Sequence, residues 1–142
     1  MSKGDTFEND FLKLIFNATT ITGLARDDTS PVTSLYVALH TSTPGETGDQ
    51  TTNETAYTGY ARQPVVRTSS GFTVTANSVS PVANIDFGAC TAAPGGAITH
   101  FSIGTLISGA GKILYYGTVT PNITIAAGVT PRLTNASTVT ED

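Results

Sequence analysis

The sequence is short of charge, of cysteine and of long apolar segments, and each shortage excludes a class of protein. Charged residues make up 13% of the 142 residues, roughly half of the ~25% found in an average soluble domain. Lys and Arg number 7 against 11 for Asp and Glu, for a net charge of -4, which excludes a basic nucleic-acid-binding protein. A coiled coil is excluded as well, because it needs dense charged and apolar heptads.

No apolar run approaches the ~18–20 residues that a membrane span requires, so we expect no membrane partner. The residues from Met1 to Asp10 lack the basic and apolar regions of a secretory signal, which predicts synthesis in a cytoplasm and no export. Cys90 stands alone, so no intrachain disulfide can form. We interpret it as a small buried hydrophobic residue, since no neighbouring base would make it a nucleophile.

Threonine is what the sequence has in excess. The chain contains 26 Thr and 11 Ser. The branched Cβ of Thr fits a pleated strand and disfavours helix interiors. The composition therefore predicts a mainly β protein.

One segment, residues 5–17 within the N-terminal stretch 1–18, is typical of a short amphipathic helix. Asp5 is a candidate N-cap, with Glu8 three residues later as in a capping box. The apolar side chains share one broad face: Phe7, Phe11, Leu12, Leu14 and Ile15. A helix of this length is marginal alone in water, so it must pack on the rest of the domain or on a partner.

The remaining chain predicts eight or nine short strands separated by turn signals. They lie at residues 34–41, 60–68, 72–76, 79–82, 84–87, 97–105, 112–120, 123–127 and, as one or two strands, 131–140. Pro64 favours an edge position for its strand, Ala76 is expected to point inward, and Pro121 with Asn122 is expected to form a turn. We expect one domain over residues 1–142, an antiparallel β-sandwich with a jelly-roll-like arrangement.

Residues 42–58 form a polar loop that is unusually long for a compact domain, which indicates an interaction loop. Its oxygen-bearing side chains are Glu46, Asp49, Asn53 and Glu54. They do not match an EF-hand, so we favour a solvated or partner-facing loop over a Ca²⁺ site.

No motif identifies an enzyme, a cofactor site or a metal site. His40 and His100 lie in predicted strands among apolar neighbours, without metal-ligand spacing, and we interpret both as core or interface residues. The segment GTLISGAG (104–111) lacks the Lys-Ser/Thr of a phosphate loop and is interpreted as a hairpin turn. No G-x-S-x-G elbow is present, although a catalytic triad assembled in space stays open.

The tyrosines suggest contact surfaces. Tyr57 and Tyr60 flank a glycine near Arg62, and Tyr115 and Tyr116 are adjacent, so one of the latter pair must face out of a strand. Tyr and Arg are enriched at interface hot spots. A sandwich core with hydroxyls at its rim explains the tyrosines equally well.

Three runs together resemble a family of small tailed-bacteriophage virion proteins: LYVALHTSTPGETGDQTTNETAYTGYARQPV (35–65), ITHFSIGT (98–105) and KILYYGTV (112–119). Members are often labelled tail-fibre proteins, and similar small β-proteins decorate capsids as cement proteins. The resemblance covers nearly the whole chain and implies no catalytic residues. It implies a homo-oligomer, with a trimer favoured, seated on the major capsid protein.

The leading hypothesis is therefore a decoration protein that stabilises the capsid exterior of a virion and is made in the host cytoplasm. The alternatives are a tail-fibre or receptor-binding module, with exposed tyrosines stacking on host glycans, and, least favoured, an enzyme such as a depolymerase. The candidate interface residues are Phe7, Phe11, Leu14, Glu46, Asp49, Glu54, Tyr57, Tyr60, Arg62, Tyr115 and Tyr116.

Overall fold

The computed structural model describes residues 5–21, 31–92 and 96–141, without the side chains of Asp5 and Phe7. Its elements in chain order are α1 (Asp5–Asn17), β1 (Ser34–His40), β2 (Gln63–Val66), β3 (Phe72–Thr75), β4 (Ser78–Pro81), β5 (Ile85–Asp86), β6 (Ala97–Gly104), β7 (Ile113–Thr124), β8 (Arg132–Leu133) and β9 (Val139–Thr140). This confirms a mainly β protein with antiparallel pairing and one short helix near the N-terminus. The jelly-roll-like arrangement stays a prediction.

The chain divides into two compact units, and each is described by itself. The first contains Met1–Ser34, Val65–Ile85 and Thr134–Asp142, and the second contains Leu35–Pro64 and Asp86–Leu133. The expectation of a single domain stays a prediction.

In the first unit, α1 packs on the β3–β4 hairpin, which β9 extends at the β4 side. The rings of Phe16 and Phe72 meet edge to face, with centroids 4.9 Å apart. The Asn9 amide donates to the carbonyl of Ala76 over 2.8 Å. Ala76 is exposed in the two-residue hairpin turn with φ 52°, so the expectation that it points inward is wrong: the chain reverses one residue earlier than the alternation indicates.

The buried line of α1 differs from the predicted apolar face. Leu12 and Phe16 are fully buried and Glu8 is nearly so, at spacings of four residues along one face. Phe11 and Leu14 are half-buried, and the side chain of Phe7 lies outside the described residues. The predicted apolar face is therefore displaced around the helix from the face that is buried. The sequence pattern omitted Phe16, and Phe16 lies on the buried face with Leu12 and Glu8.

Arg67 closes the C-terminal end of α1. Ala18, with φ 52°, ends the helix and leaves carbonyls without intrahelical partners, and the last turn carries no basic residue of its own. The Arg67 guanidinium donates to the carbonyls of Leu14 (2.6 Å) and Ile15. Burial lowers the pKa of Arg67, because it removes water from the cation. The two carbonyls replace that water as polar partners of the guanidinium.

The second unit is built around a four-stranded sheet in the order β2-β1-β6-β7. β1 is central and buried on both faces, which confirms the prediction of a well-covered strand. β2 lies at an edge and contains Pro64, as predicted from its missing N–H.

The predicted turn at Pro121 and Asn122 is wrong, because β7 runs through both residues. Ile98 of β6 pairs with Ile123 and His100 pairs with Thr118, so the register shifts between them. The residues around Pro121 lie within this irregularity. The ring nitrogen of Pro121 has no hydrogen and cannot donate to the neighbouring strand. Thr120 and Pro121 are joined by a cis peptide bond.

Cys90 is free and 1% exposed, which confirms its interpretation as a small buried hydrophobic residue. Within the described residues, no helix is long and apolar enough to cross a membrane.

Replacing Arg67 by Met tests the cap on α1. We expect Arg67→Met to lower the free energy of unfolding by about 2 kcal/mol, since hydrogen bonds to charged groups contribute about 1.5–3 kcal/mol. Arg132→Met is the matched control, because Arg132 pairs with Asp86 at an exposed position and should change stability little. Denaturant titration measures both variants, and equal losses would contradict the role of Arg67.

Candidate functional site

The predicted interaction loop is folded back onto the end of β1. Thr41 N donates to the carbonyl of Asn53 and Thr55 N donates to that of Leu39, each over 2.9 Å. His40 and Glu54 therefore form an antiparallel bridge at the base of the loop. This closure brings Glu54 to the end of the central strand.

A buried arginine network joins this loop to the connection between β6 and β7. Arg62, 4% exposed, binds Glu54 through two parallel hydrogen bonds, Nε to Oε1 at 2.7 Å and Nη2 to Oε2 at 2.8 Å. Its three remaining donors reach the carbonyls of Leu106 at 3.0 Å and Gly109 at 2.9 Å and, at 3.5 Å, Gln50 Oε1. The bonds to Glu54 raise the pKa of Arg62. The guanidinium therefore remains charged and fully partnered, as a buried cation requires.

Tyr60 completes the network from the side of β1. Its hydroxyl donates to Glu54 Oε1 over 2.9 Å and accepts from the backbone N–H of Leu39 over 3.0 Å. Burial raises the pKa of this hydroxyl far above its usual value, so it remains a donor to the carboxylate. Its ring stacks with that of Phe87 at a centroid distance of 6.2 Å.

Tyr57 supports this arrangement from the core. It is 2% exposed, and its hydroxyl donates to the carbonyl of Gly88 over 2.8 Å. Burial raises the pKa of Tyr57 to about 12. Of the two interpretations left open for the tyrosines, the buried one therefore holds for Tyr57, because the loop carries its ring inward against Tyr60.

Gln50 also joins the loop of residues 42–58 to the connection between β6 and β7, and its side chain is fully buried. Its Nε2 donates to the carbonyl of Tyr36 over 3.0 Å, and its Oε1 accepts from Leu106 N over 3.2 Å. A Cβ at Gly104 would lie 2.2 Å from Gln50 Cδ, and one at Gly111 would lie 2.1 Å from Oε1. Both positions therefore require glycine to make room for the amide.

His40 is a core histidine whose two ring nitrogens are satisfied, as predicted. Nδ1 lies 2.9 Å from the carbonyl of Thr52 and Nε2 lies 2.8 Å from Ser102 Oγ. The carbonyl can only accept, which places the proton on Nδ1. Burial lowers the pKa of His40. His100 is half-buried, with Nδ1 2.8 Å from Thr99 Oγ1.

The network holds in place an exposed apolar tip that sequence reasoning missed. Leu106 is 48% exposed and Ile107 is 60% exposed, on the connection between β6 and β7 that Arg62 and Gln50 bind. A groove of about 410 Å³ runs beside this tip, with Tyr60, Arg62 and Ile107 in its lining. The segment was interpreted only as a hairpin turn, although two adjacent apolar residues between its glycines signal a contact.

The structure brings four of the predicted interface residues together and leaves the others apart. Glu54, Tyr57, Tyr60 and Arg62 form the network. Glu46 is exposed beside a second groove of about 310 Å³, whose lining includes Tyr116. Tyr116 is 38% exposed and Tyr115 is half-buried, which confirms that one ring of that pair faces outward. Phe11 and Leu14 belong to the first unit.

The polar side chains of the loop do not converge on a common point. Asp49 Oδ1 accepts from Thr51 N over 2.8 Å, Asn53 donates to the carbonyl of Thr43 over 2.8 Å, and Glu54 binds Arg62. Hydrogen bonding to Thr51 lowers the pKa of Asp49. Among the residues described, no group of three or more His, Cys, Asp or Glu could hold a metal ion.

Comparison with protein families decides the relationship. Residues 2–140 match the family model described as podophage GP4 fiber I protein gp80. The chain belongs to this family. The match confirms the resemblance to small tailed-phage virion proteins that carry fibre-type names, and it makes this fiber I family member a phage virion structural protein. No curated protein matches the sequence.

Breaking the ion pair tests the importance of the network to this fiber I family member. We expect Glu54→Gln to lower the free energy of unfolding by about 3–5 kcal/mol, because Arg62 would be left as a buried charge without its counterion. In a double-mutant cycle, the double variant carrying Glu54→Gln and Arg62→Met should lose less stability than the sum of the losses of the two single variants. Additive losses measured by denaturant titration would contradict the coupling.

The buried histidine predicts a pH dependence of stability. Because the pKa of His40 is lowered from 6.5 in the folded chain, the unfolded chain binds more protons as the pH falls below about 6.5. His40 therefore contributes stability above that pH, and the contribution is lost as the pH falls toward the folded pKa. His40→Gln should flatten the dependence of the free energy of unfolding on pH below about pH 6.5. An unchanged slope in the variant would contradict this.

Proposed function

We propose that the protein binds the exterior of a phage capsid as an oligomer and stabilises the shell by contacting the major capsid protein. The observation that carries this proposal is the apolar tip at Leu106 and Ile107, which the buried Arg62 and Gln50 hold in a fixed position. Membership in a family of phage virion proteins supports it.

A fixed apolar tip suits binding because little conformational entropy is lost when it docks. Ordering a loop during association lowers affinity, and here the two carbonyls that flank Ile107, those of Leu106 and Gly109, are already bound by Arg62. A few well-packed residues near the centre of an interface carry most of the binding energy, and near-neutral contacts around them exclude water. Ser108 and Thr105 supply polar surroundings for Ile107.

The low charge of the chain also favours packing against other proteins. With 13% charged residues and many small hydroxyls, the surface can be covered with little loss of ion solvation. A symmetric homo-oligomer, with a trimer favoured by the resemblance, would multiply weak single contacts into firm attachment. Native mass measurement of the purified protein tests the trimer.

A tail-fibre module is the second candidate, and the description of the family as a fiber protein favours it. The groove of about 410 Å³ beside Tyr60 and Ile107 would be its binding surface for host glycans. Cryo-electron microscopy of the virion separates the two functions. Density for this chain on the capsid surface supports decoration, whereas density on the tail alone would overturn the capsid proposal and direct attention to a glycan array.

Ile107→Asp tests the tip directly. We expect the variant to bind virions lacking the protein about 30-fold more weakly, since loss of an anchor residue costs about 2 kcal/mol or more. Thr73→Asp, at an exposed position of β3, is the control, and it should bind normally. The fraction of sites filled and the temperature of DNA release are measured, and full occupancy with Ile107→Asp would exclude the tip as the contact.

A further inference from the structure

The two edges of the four-stranded sheet differ in how well they are protected. β2 has four residues and contains Pro64, whereas β7 at the other edge has twelve. Short strands and proline prevent another chain from pairing with an edge. Among the described residues, no strand lies on the outer side of β7. This leaves the longest strand of the sheet as its least protected edge.

The interruptions of β7 lie near the two ends of the segment 113–120. Lys112 precedes the strand, the register against β6 shifts at Leu114 between the pairs made by Ile113 and Tyr115, and a second shift lies around Pro121. Residues 113–120 read ILYYGTVT, without a charge or a proline. β-branched and aromatic residues of this kind favour strand pairing, and an uncharged edge of eight residues can accept a further strand.

We propose that the outer edge of β7 between Ile113 and Thr120 is where a second copy of this chain adds, by antiparallel pairing of β7 with β7. The backbone edge of an antiparallel strand is complementary to its own copy about a two-fold axis. Although the chain carries a net charge of -4, residues 113–120 place no like charges opposite each other, a juxtaposition that would oppose pairing.

Side chains next to this edge are also compatible with the β7 strand of a second copy. Tyr116, Thr118 and Thr120 are exposed and alternate along β7, so they share one face that a partner strand would extend. The groove of about 310 Å³ next to the start of the strand is lined by Lys112, Leu114 and Tyr116 from the strand side and by Glu46 of the loop, so the lysine and the carboxylate place opposite charges at its rim. It can receive a side chain of the added strand, as pockets do in strand addition.

This contact relates copies in pairs and does not depend on where the protein sits in the virion. In a protein that is otherwise trimeric, it would join neighbouring trimers through their β7 edges. Its failure is therefore separable from failure of the capsid proposal, which rests on the tip at Ile107.

Disulfide cross-linking locates the contact. Single cysteines are introduced at each position from 113 to 120 of the full-length protein and oxidised, and Cys90, being buried, adds little background. Because a residue on the two-fold axis faces its own copy, cross-linked dimer should peak at one position and fall on either side. Cysteines at exposed Thr73 and Thr75 on β3 are the controls. No position exceeding those controls would overturn the proposal.

Sedimentation of a charged variant gives an independent measurement. Tyr116→Lys would place one added positive charge from each copy on the paired edge, and we expect it to weaken self-association about fivefold. Thr73→Lys carries the same charge change at another exposed strand position and should leave association unchanged. Thermal melts confirm that each variant folds. Absence of association in the unmodified protein, or equal association in all three, would also overturn the proposal.

Discussion

The guanidinium of Arg62 is the contact on which both loops of the second unit depend. A buried cation is stable only when its donors are filled. Here they are filled by the Glu54 carboxylate, the Gln50 amide oxygen and two carbonyls of the β6–β7 connection, which is more than forty residues away in sequence. Tyr60 and Gln50 add bonds to the same segments. The long polar loop and the β6–β7 connection are therefore fixed by one charge, and the exposed tip takes its position from it.

Features set by local sequence were predictable, and those set by distant partners were not. The helix Asp5–Asn17 and the central position of β1 followed from periodicity and from apolar residues on both faces. The continuity of β7 through Pro121 depends on a register shift against β6, which a single strand does not encode. The predicted turn failed for that reason.

The candidate site shows the same division. Tyr57, Tyr60 and Arg62 were singled out by residue type, but Tyr57 points inward to the carbonyl of Gly88, and Tyr60 and Arg62 to Glu54. Arg62 depends in addition on carbonyls of the β6–β7 connection. No short-range pattern links these positions. Leu106 and Ile107 were missed because the glycines around them indicate a turn, and a turn motif says nothing about what its tip contacts. In contrast, strand alternation alone predicted that one ring of the Tyr115–Tyr116 pair faces outward, and the structure shows that this ring is Tyr116.

The seat of Gln50 between Gly104 and Gly111 limits how this family member can vary. A side chain added at either glycine would occupy space that the amide fills, and a shorter residue at position 50 would leave the N–H of Leu106 and the carbonyl of Tyr36 without a partner. The three positions are therefore coupled in this chain, and a change at one of them limits which residues the other two can hold.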